Sequence, residues 1–347
     1  MAYEVHPFGY TQNGEKIQLY LLTNSNGMII SVTNQGACLQ SVIVPDANGR
    51  YIDVALGYDG AIDYFNNSCF LGAIVGRYGN RIAGANFSLD GIKYQLNKNE
   101  GNNSVHSGPD FWFKRIWEIY KLPKDSEDGS VSMTFALKSP EGDQGFPGEV
   151  NVRVTYRLSS DNKLSIIMYA KPSCKTLLNL ACHPYWNLNG YAAGSILKHV
   201  LQVNASKYTP VDDELIPTGE IASVIGTPYD FMNAKYINTN IDKIKGGYDI
   251  NYVLGYSKFI KLAATLTSKL SGITMKVYTD APGIQLYTSG NLKADGKSGA
   301  HFGEYDAIVL EPQFYPDSPH HENFPQPIFT SNHPFESTTT FAFYVND

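Results

Sequence analysis

Val131-Ser-Met-Thr-Phe-Ala-Leu-Lys138 and, a short interval later, Val152-Arg-Val-Thr-Tyr-Arg-Leu158 place an apolar side chain at every second position. Successive side chains of an extended backbone point to opposite faces, so both stretches read as strands with one buried and one wetted face. The same β character continues outward through Ile17–Leu22, Met28–Thr33, Leu39–Val44, Leu164–Ala170, Ile260–Leu266, Ile273–Tyr278 and Phe341–Val345. Phe87-Ser-Leu-Asp-Gly-Ile-Lys-Tyr94 reads as a hairpin, because Asp90-Gly91 supplies the positive φ angles of a two-residue type I′ turn. Ser159–Asn162 marks another turn, and the one helical candidate, Asp59–Asn66, is too short to organise a layer. No fixed-period repeat, low-complexity tract or linker divides the chain. The expectation is an all-β protein in which residues 1–347 form one domain, a large antiparallel β-sandwich.

Composition narrows the function. Hydrophobic residues are 43% of the chain and charged residues 17%, enough apolar side chain for a large core and too little charge for disorder. Lys and Arg total 27 against 33 Asp and Glu, and no basic cluster stands ready to neutralise a row of phosphates, so no nucleic-acid partner is expected. No run approaches a membrane span, and Met1–Tyr10 lacks the apolar stretch of a signal peptide. Four cysteines, Cys38, Cys69, Cys174 and Cys182, are too few for a disulfide framework and form no C-x-x-C pair. A reducing, cytoplasmic setting is expected. A monomer or a homodimer is expected.

Familiar chemical motifs fail one after another. Gly296-Lys297-Ser298 ends like a phosphate loop, but Asn291 stands where its first glycine belongs. His321-Glu322 begins a zinc-protease pattern that meets Pro325 in place of the second histidine. No serine elbow or EF-hand is present, and Gly76-Arg-Tyr-Gly79 lacks the strand–helix surroundings of a dinucleotide site. Neither a cofactor nor a metal is expected.

Four polar-rich regions remain, the first made of two stretches, and together they have the make-up of a sugar site. Gly76-Arg-Tyr-Gly-Asn-Arg-Ile-Ala-Gly84 carries Arg77, Asn80 and Arg81, and Asn102-Asn-Ser-Val-His-Ser-Gly108 carries His106. A guanidinium can fork onto two hydroxyls of a pyranose, or pair with a neighbouring carboxylate. Leu177-Leu-Asn-Leu-Ala-Cys-His-Pro-Tyr-Trp-Asn187 sets His183 at the end of a β run beside two aromatic rings, suited to proton donation or to ordinary core packing. Gly246-Gly-Tyr-Asp-Ile-Asn-Tyr252 carries Asp249, a ligand or a turn residue. In Tyr305-Asp-Ala-Ile-Val-Leu-Glu-Pro-Gln-Phe-Tyr-Pro316, Glu311 closes an apolar strand, where a carboxylate is costly unless it has partners or a task. The long polar stretches Asn97–Phe113 and Ser289–Phe302 are where loop-borne chemistry is expected.

Taken in order, G-R-x-x-N-R-I, N-x-x-H-S, H-x-Y-x-N-L, G-Y-D-x-N, Pro282-Gly-Ile-Gln-Leu-Tyr-Thr288 and L-E-x-Q-x-Y-P-D resemble the aldose 1-epimerases, the galactose mutarotases, over about residues 8–345. The resemblance implies a galactose mutarotase-like supersandwich. It also implies a cofactor-free isomerase that interconverts the α and β anomers of free aldohexoses such as galactose and glucose. By position, Glu311 matches the family's general base and His183 its general acid; Asn80, Arg81, His106, Asp249 and Gln285 match sugar-contacting residues. The residue chemistry agrees. Opening a hemiacetal removes a proton from one oxygen and adds one to another, which asks for one base and one acid and for no nucleophile or metal. A glycosidase would ask for two opposed carboxylates instead.

Three positions depart from the family pattern: Cys182 where Asn is common, Ile250 where His is frequent, and Gly79 where Ala is common. With His320-His321, they bear on substrate preference. Two other readings stay open, an epimerase of hexose 6-phosphates and a sugar-binding protein without catalysis.

Overall fold

The computed structural model describes residues 3–345. Among these residues the three larger sheets are antiparallel throughout and have five, nine and six strands. The nine-stranded sheet is the floor of the molecule. It runs, edge to edge, through Glu118–Asp125, Val131–Ser139, Val150–Leu158, Lys163–Pro172, Phe335–Val345, Ile273–Thr279, Lys261–Thr267, Val200–Val203 and Lys235–Tyr236. The alternation of Val150–Leu158 is strict: Val150, Val152, Val154, Tyr156 and Leu158 are buried, and the residues between them are exposed or half-exposed. A shift of register by one residue would wet that whole row, which is why the pairing with both neighbours runs without a bulge.

The apolar face of the floor is covered by the other two sheets. In the five-stranded sheet (Tyr3–Tyr10, Lys16–Thr23, Ile29–Thr33, Leu39–Pro45, Tyr51–Asp53), Tyr20, Leu22, Ile30 and Val32 join the same core as Met133, Phe135 and Val154. In the six-stranded sheet (Tyr185–Trp186, Ile308–Gln313, Gly283–Tyr287, Asp249–Val253, Lys207–Thr209, Ala222–Ser223), the side chains of Ile250, Tyr252, Ile284, Leu286, Ile308 and Leu310 do so. The layers make the expected all-β antiparallel sandwich.

Several local expectations change in extent. The C-terminal strand reaches back to Phe335, not Phe341, because residues 335–342 pair along Lys163–Pro172 in the middle of the floor. The strand expected from Ile260 starts at Lys261 and bulges between Leu262 and Ala264. The hairpin turn at Asp90-Gly91 has both residues at positive φ, and the short helix spans Ala61–Phe65. No helix among the described residues is long and apolar enough to cross a membrane.

Candidate active site

The six-stranded sheet positions the polar residues through its register. Asn251, Gln285 and Glu311 stand opposite one another on three adjacent strands. Alternation then puts Asp249 and Gln313 on the same face, while Ile250, Ile284, Leu286 and Leu310 turn into the core. The face away from the floor is therefore polar and charged even though its residues are largely buried. Gln285 donates from Nε2 to Asp249 Oδ1 at 2.6 Å, and Gln313 donates from Nε2 to Gln285 Oε1 at 3.2 Å, so the two amides are held in one orientation.

The wall of the pocket comes from elsewhere. Ala181–His183 pairs with Ala73–Val75, and the Gly72 N–H bonds to the His183 carbonyl. Gly72 has φ of +63°, and a Cβ there would lie 1.9 Å from the Leu39 carbonyl oxygen, so glycine alone admits this crossing of strands. His183 Nε2 ends up 4.0 Å from Glu311 Oε2. Both side chains are buried, and His183 Nδ1 and Glu311 Oε1 have no hydrogen-bond partner among the described residues. Burial, with the charge of Asp249, pushes the Glu311 carboxyl up to about 8. Burial alone pulls His183 down to about 4. Near neutral pH the pair thus holds one proton, on Glu311.

His106 lies beside this pair, its ring centroid 5.5 Å from that of His183 and nearly perpendicular to it. The backbone N–H of Asn80 donates to His106 Nδ1 at 3.1 Å, which leaves Nε2 as the protonated nitrogen of the neutral ring. Burial, then the neighbouring His183 and Arg81, keep its pKa well below the ordinary value. The side-chain oxygen of Asn80 accepts from the Arg81 N–H, and Asn80 has φ of +64°. Arg81 itself is clasped by Glu100, with Nε and Nη2 donating at 2.6 and 2.8 Å, and its Nη1 stands 3.7 Å from Asp249. Burial opposes its charge, but the bonds to Glu100 and the field of Asp249 outweigh this and raise its pKa. Asp249 is held above the usual carboxylate range by burial, against the pull of Arg81 and Gln285.

The structure thus gathers Glu311, His183, His106, Arg81, Asp249, Gln285 and Asn80 around one pocket. Other expectations need correction. Arg77 neither faces the pocket nor pairs with a carboxylate: its buried guanidinium bonds to Ser139 Oγ and to the carbonyls of Ser139, Pro140 and Pro147. The Ser289–Phe302 stretch supplies none of these seven side chains. It is anchored by buried Lys297, which donates to the Gln40 and Ala55 carbonyls and to Asp53. His320 and His321 bind Asp317 at 2.6 and 3.3 Å, and Asp317 in turn bonds to the backbone at Arg81 and Ala83, so the cluster buttresses the arginine from behind. Ile250 is in the core on the opposite face of its strand, and Cys182 is buried with its thiol pushed up by burial, an inert packing residue.

Three residues of this region were not singled out from the sequence. Phe70, at φ of +60°, sets its half-buried ring 4.6 Å from His106 and 6.1 Å from His183. Glu100 lies within the Asn97–Phe113 loop, but no pattern distinguished it from its polar neighbours. Gln313 was readable, since the E-x-Q spacing puts it on the face of Glu311.

Comparison with known proteins places this geometry. The family model described as aldose 1-epimerase matches residues 18–342. The aldose 1-epimerase of Escherichia coli K12 is 36% identical over 325 residues, 91% of either chain. The galactose mutarotase of Bos taurus is 36% identical over 336 residues, 95% of this chain and 94% of that protein. Among solved structures, an aldose epimerase homologue from C. elegans superposes with a TM-score of 0.87 at 29% identity, covering 94% of this chain and 98% of the other. The galactose 1-epimerase of Lactobacillus acidophilus NCFM gives 0.86 at 25% identity, covering 99% of both. Extent of match, shared sandwich and order of motifs agree, and the chain is a member of the aldose 1-epimerase family.

Proposed function

We propose that this protein is an aldose 1-epimerase, an isomerase that interconverts the α and β anomers of free aldohexoses such as galactose and glucose. The observation that carries this reading is the buried His183–Glu311 pair, 4.0 Å apart and bordered by hydroxyl-binding groups. The two oxygens that exchange protons in mutarotation sit on the same carbon, C1, so an acid and a base that close together reach both at once.

Glu311 takes the proton of the anomeric hydroxyl while His183 gives one to the ring oxygen. The C1–O5 bond breaks, the aldehyde forms, and rotation about C1–C2 turns its other face to the returning hydroxyl. Closure repeats the transfers in reverse. One proton stays on the pair throughout: on His183 before opening, on Glu311 after it. Burial of the two side chains favours the second arrangement, and a bound hemiacetal offering O1–H to Glu311 and a lone pair to His183 draws the proton back to the imidazole. Asp249, Gln285 and Asn80 accept from or donate to sugar hydroxyls, Arg81 donates, and His106 donates from Nε2. Phe70 closes the histidine side against water.

Two observations bear on the alternatives. Arg81, the cation of the gathered set, already faces Glu100 and Asp249, a poor arrangement for a phosphorylated hexose. A binding protein without catalysis has no use for a buried acid–base pair whose pKa values are driven to opposite sides of neutrality. Four free thiols suit the reducing cytoplasm, where we place the protein. The test is polarimetry of freshly dissolved α-D-galactose: acceleration over the spontaneous rate is expected, and saturable binding without acceleration would leave a sugar-binding protein.

A further inference from the structure

Glu100 occupies an unusual position for a half-exposed carboxylate, because the loop that carries it is built around it. Its N–H bonds to the Asn103 carbonyl at 3.3 Å and its carbonyl receives the Asn103 N–H at 2.9 Å, closing a tight turn through Gly101 at φ of +57°. Asn99 clasps the backbone of Val105 with both ends of its amide at 2.8 Å. The carboxylate is thus aimed at Arg81 by a rigid loop, and it occupies two edges of the guanidinium, Nε and Nη2.

The surrounding charges point the same way. Nη1 of Arg81 faces Asp249. A third acid, Glu214, comes from a separate loop and accepts from Asn103 Nδ2 at 2.8 Å, one side chain away from Glu100. Among the described residues, no basic side chain other than Arg81 ion-pairs with any of the three. The guanidinium therefore presents directional N–H donors to a ligand while its charge is spent on its neighbours. Such a group suits neutral hydroxyls and gives an anion little net attraction.

We infer that Glu100 is a specificity-determining residue: by clasping Arg81 bidentately it reserves the site for uncharged aldohexoses and rejects those bearing a carboxylate or phosphate. Glu100 does this through Arg81 and is a positioning residue. The inference rests on the proposed sugar site, and its test is arranged to separate the two.

The Kd of D-galactose and of D-galacturonate, which carries a carboxylate in place of the C6 hydroxymethyl, is measured by calorimetry for wild type, Glu100→Gln and Glu100→Asp. Wild type is expected to bind galactose and to disfavour galacturonate. In Glu100→Gln the ratio of the galacturonate Kd to the galactose Kd should fall by about tenfold or more, while Glu100→Asp keeps the wild-type ratio. Raising salt from low to high should narrow the wild-type ratio as well, a reading that needs no variant. An unchanged ratio in Glu100→Gln with galactose still bound, or a wild-type ratio indifferent to salt, overturns the role of Glu100 and leaves the epimerase reading intact. A wild type that binds neither sugar overturns both.

Discussion

Nε2 of His183 and Oε2 of Glu311 face each other across 4.0 Å, too far for a hydrogen bond and close enough for both to reach substituents of one carbon. The two groups come from different strands and arrive there through unrelated packing: Glu311 through the register of the six-stranded sheet, His183 through the crossing at Gly72. Their environment sets a carboxyl and an imidazole to opposite sides of neutral pH, so one proton resides on the pair over a wide range.

That inventory fixes the pH profile. Below about 4 both groups are protonated and no base remains; above about 8 both have lost their protons and no acid remains. The rate of galactose mutarotation should be flat between these limits and fall with unit slope outside them. Polarimetry across pH 3–10, corrected for the spontaneous rate, checks it, and the two midpoints belong to the pair and not to one residue each.

Glu311→Gln should abolish turnover while sugar binding remains measurable. It should also stabilise the fold at high pH. The folded-state pKa of Glu311 is raised, so the native protein holds a proton that the unfolded chain has released between about 4.5 and about 8, and wild-type stability falls as pH rises through that window. Glutamine is neutral throughout. Urea unfolding should find the variant more stable than wild type by on the order of 2–4 kcal/mol above pH 8, and close to it near pH 4.

His183→Asn removes the proposed general acid and should lower kcat by about a hundredfold or more, with KM little changed. His106→Asn should raise KM and lower kcat together, because in the proposed mechanism His106 orients the sugar against the pair. Steady-state kinetics on both variants separates the two roles.

Phe70→Ala opens the histidine side of the pocket. Burial is what pulls His183 down to about 4, so admitting water should move the acid limb of the profile up by about one to two pH units while the alkaline limb shifts less. Phe70→Leu, which keeps an apolar wall, should leave the acid limb near its wild-type position.

Lys297→Met should destabilise the protein by about 3–5 kcal/mol, since it strands the Asp53 carboxylate and two carbonyls that the ammonium now satisfies. Its kcat at low temperature should stay near wild type, because Lys297 anchors a loop outside the pocket.

Strand positions were legible where alternation or a turn dictated them, as in Val131–Ser139, Val150–Leu158 and the Asp90-Gly91 hairpin. They blurred in Phe335–Val345, whose first half, Glu336-Ser-Thr-Thr-Thr340, carries no apolar alternation to read although it pairs along Lys163–Pro172. Among polar residues the contrast is sharper. Glu311 stands out because it closes an apolar strand, whereas Asp249 reads equally as a turn residue and Gln285 is marked only by the family resemblance. Arg77 looked equivalent to Arg81 in a glycine-rich segment, and only the packing showed one guanidinium capped by buried carbonyls and the other turned to the pocket.

The sequence by itself determined the β-sandwich and the family, and through that resemblance it nominated His183, Glu311 and most of the groups around them, because period-2 burial and motif order are written along the chain. What only the tertiary structure decided is how those groups act on one another: the 4.0 Å gap, the opposed pKa shifts of His183 and Glu311, the aromatic wall of Phe70 and the clasp of Glu100 on Arg81. Each depends on distance and burial between segments remote in sequence, and electrostatic energy is set by separation in space and exclusion of water, neither of which a linear pattern records.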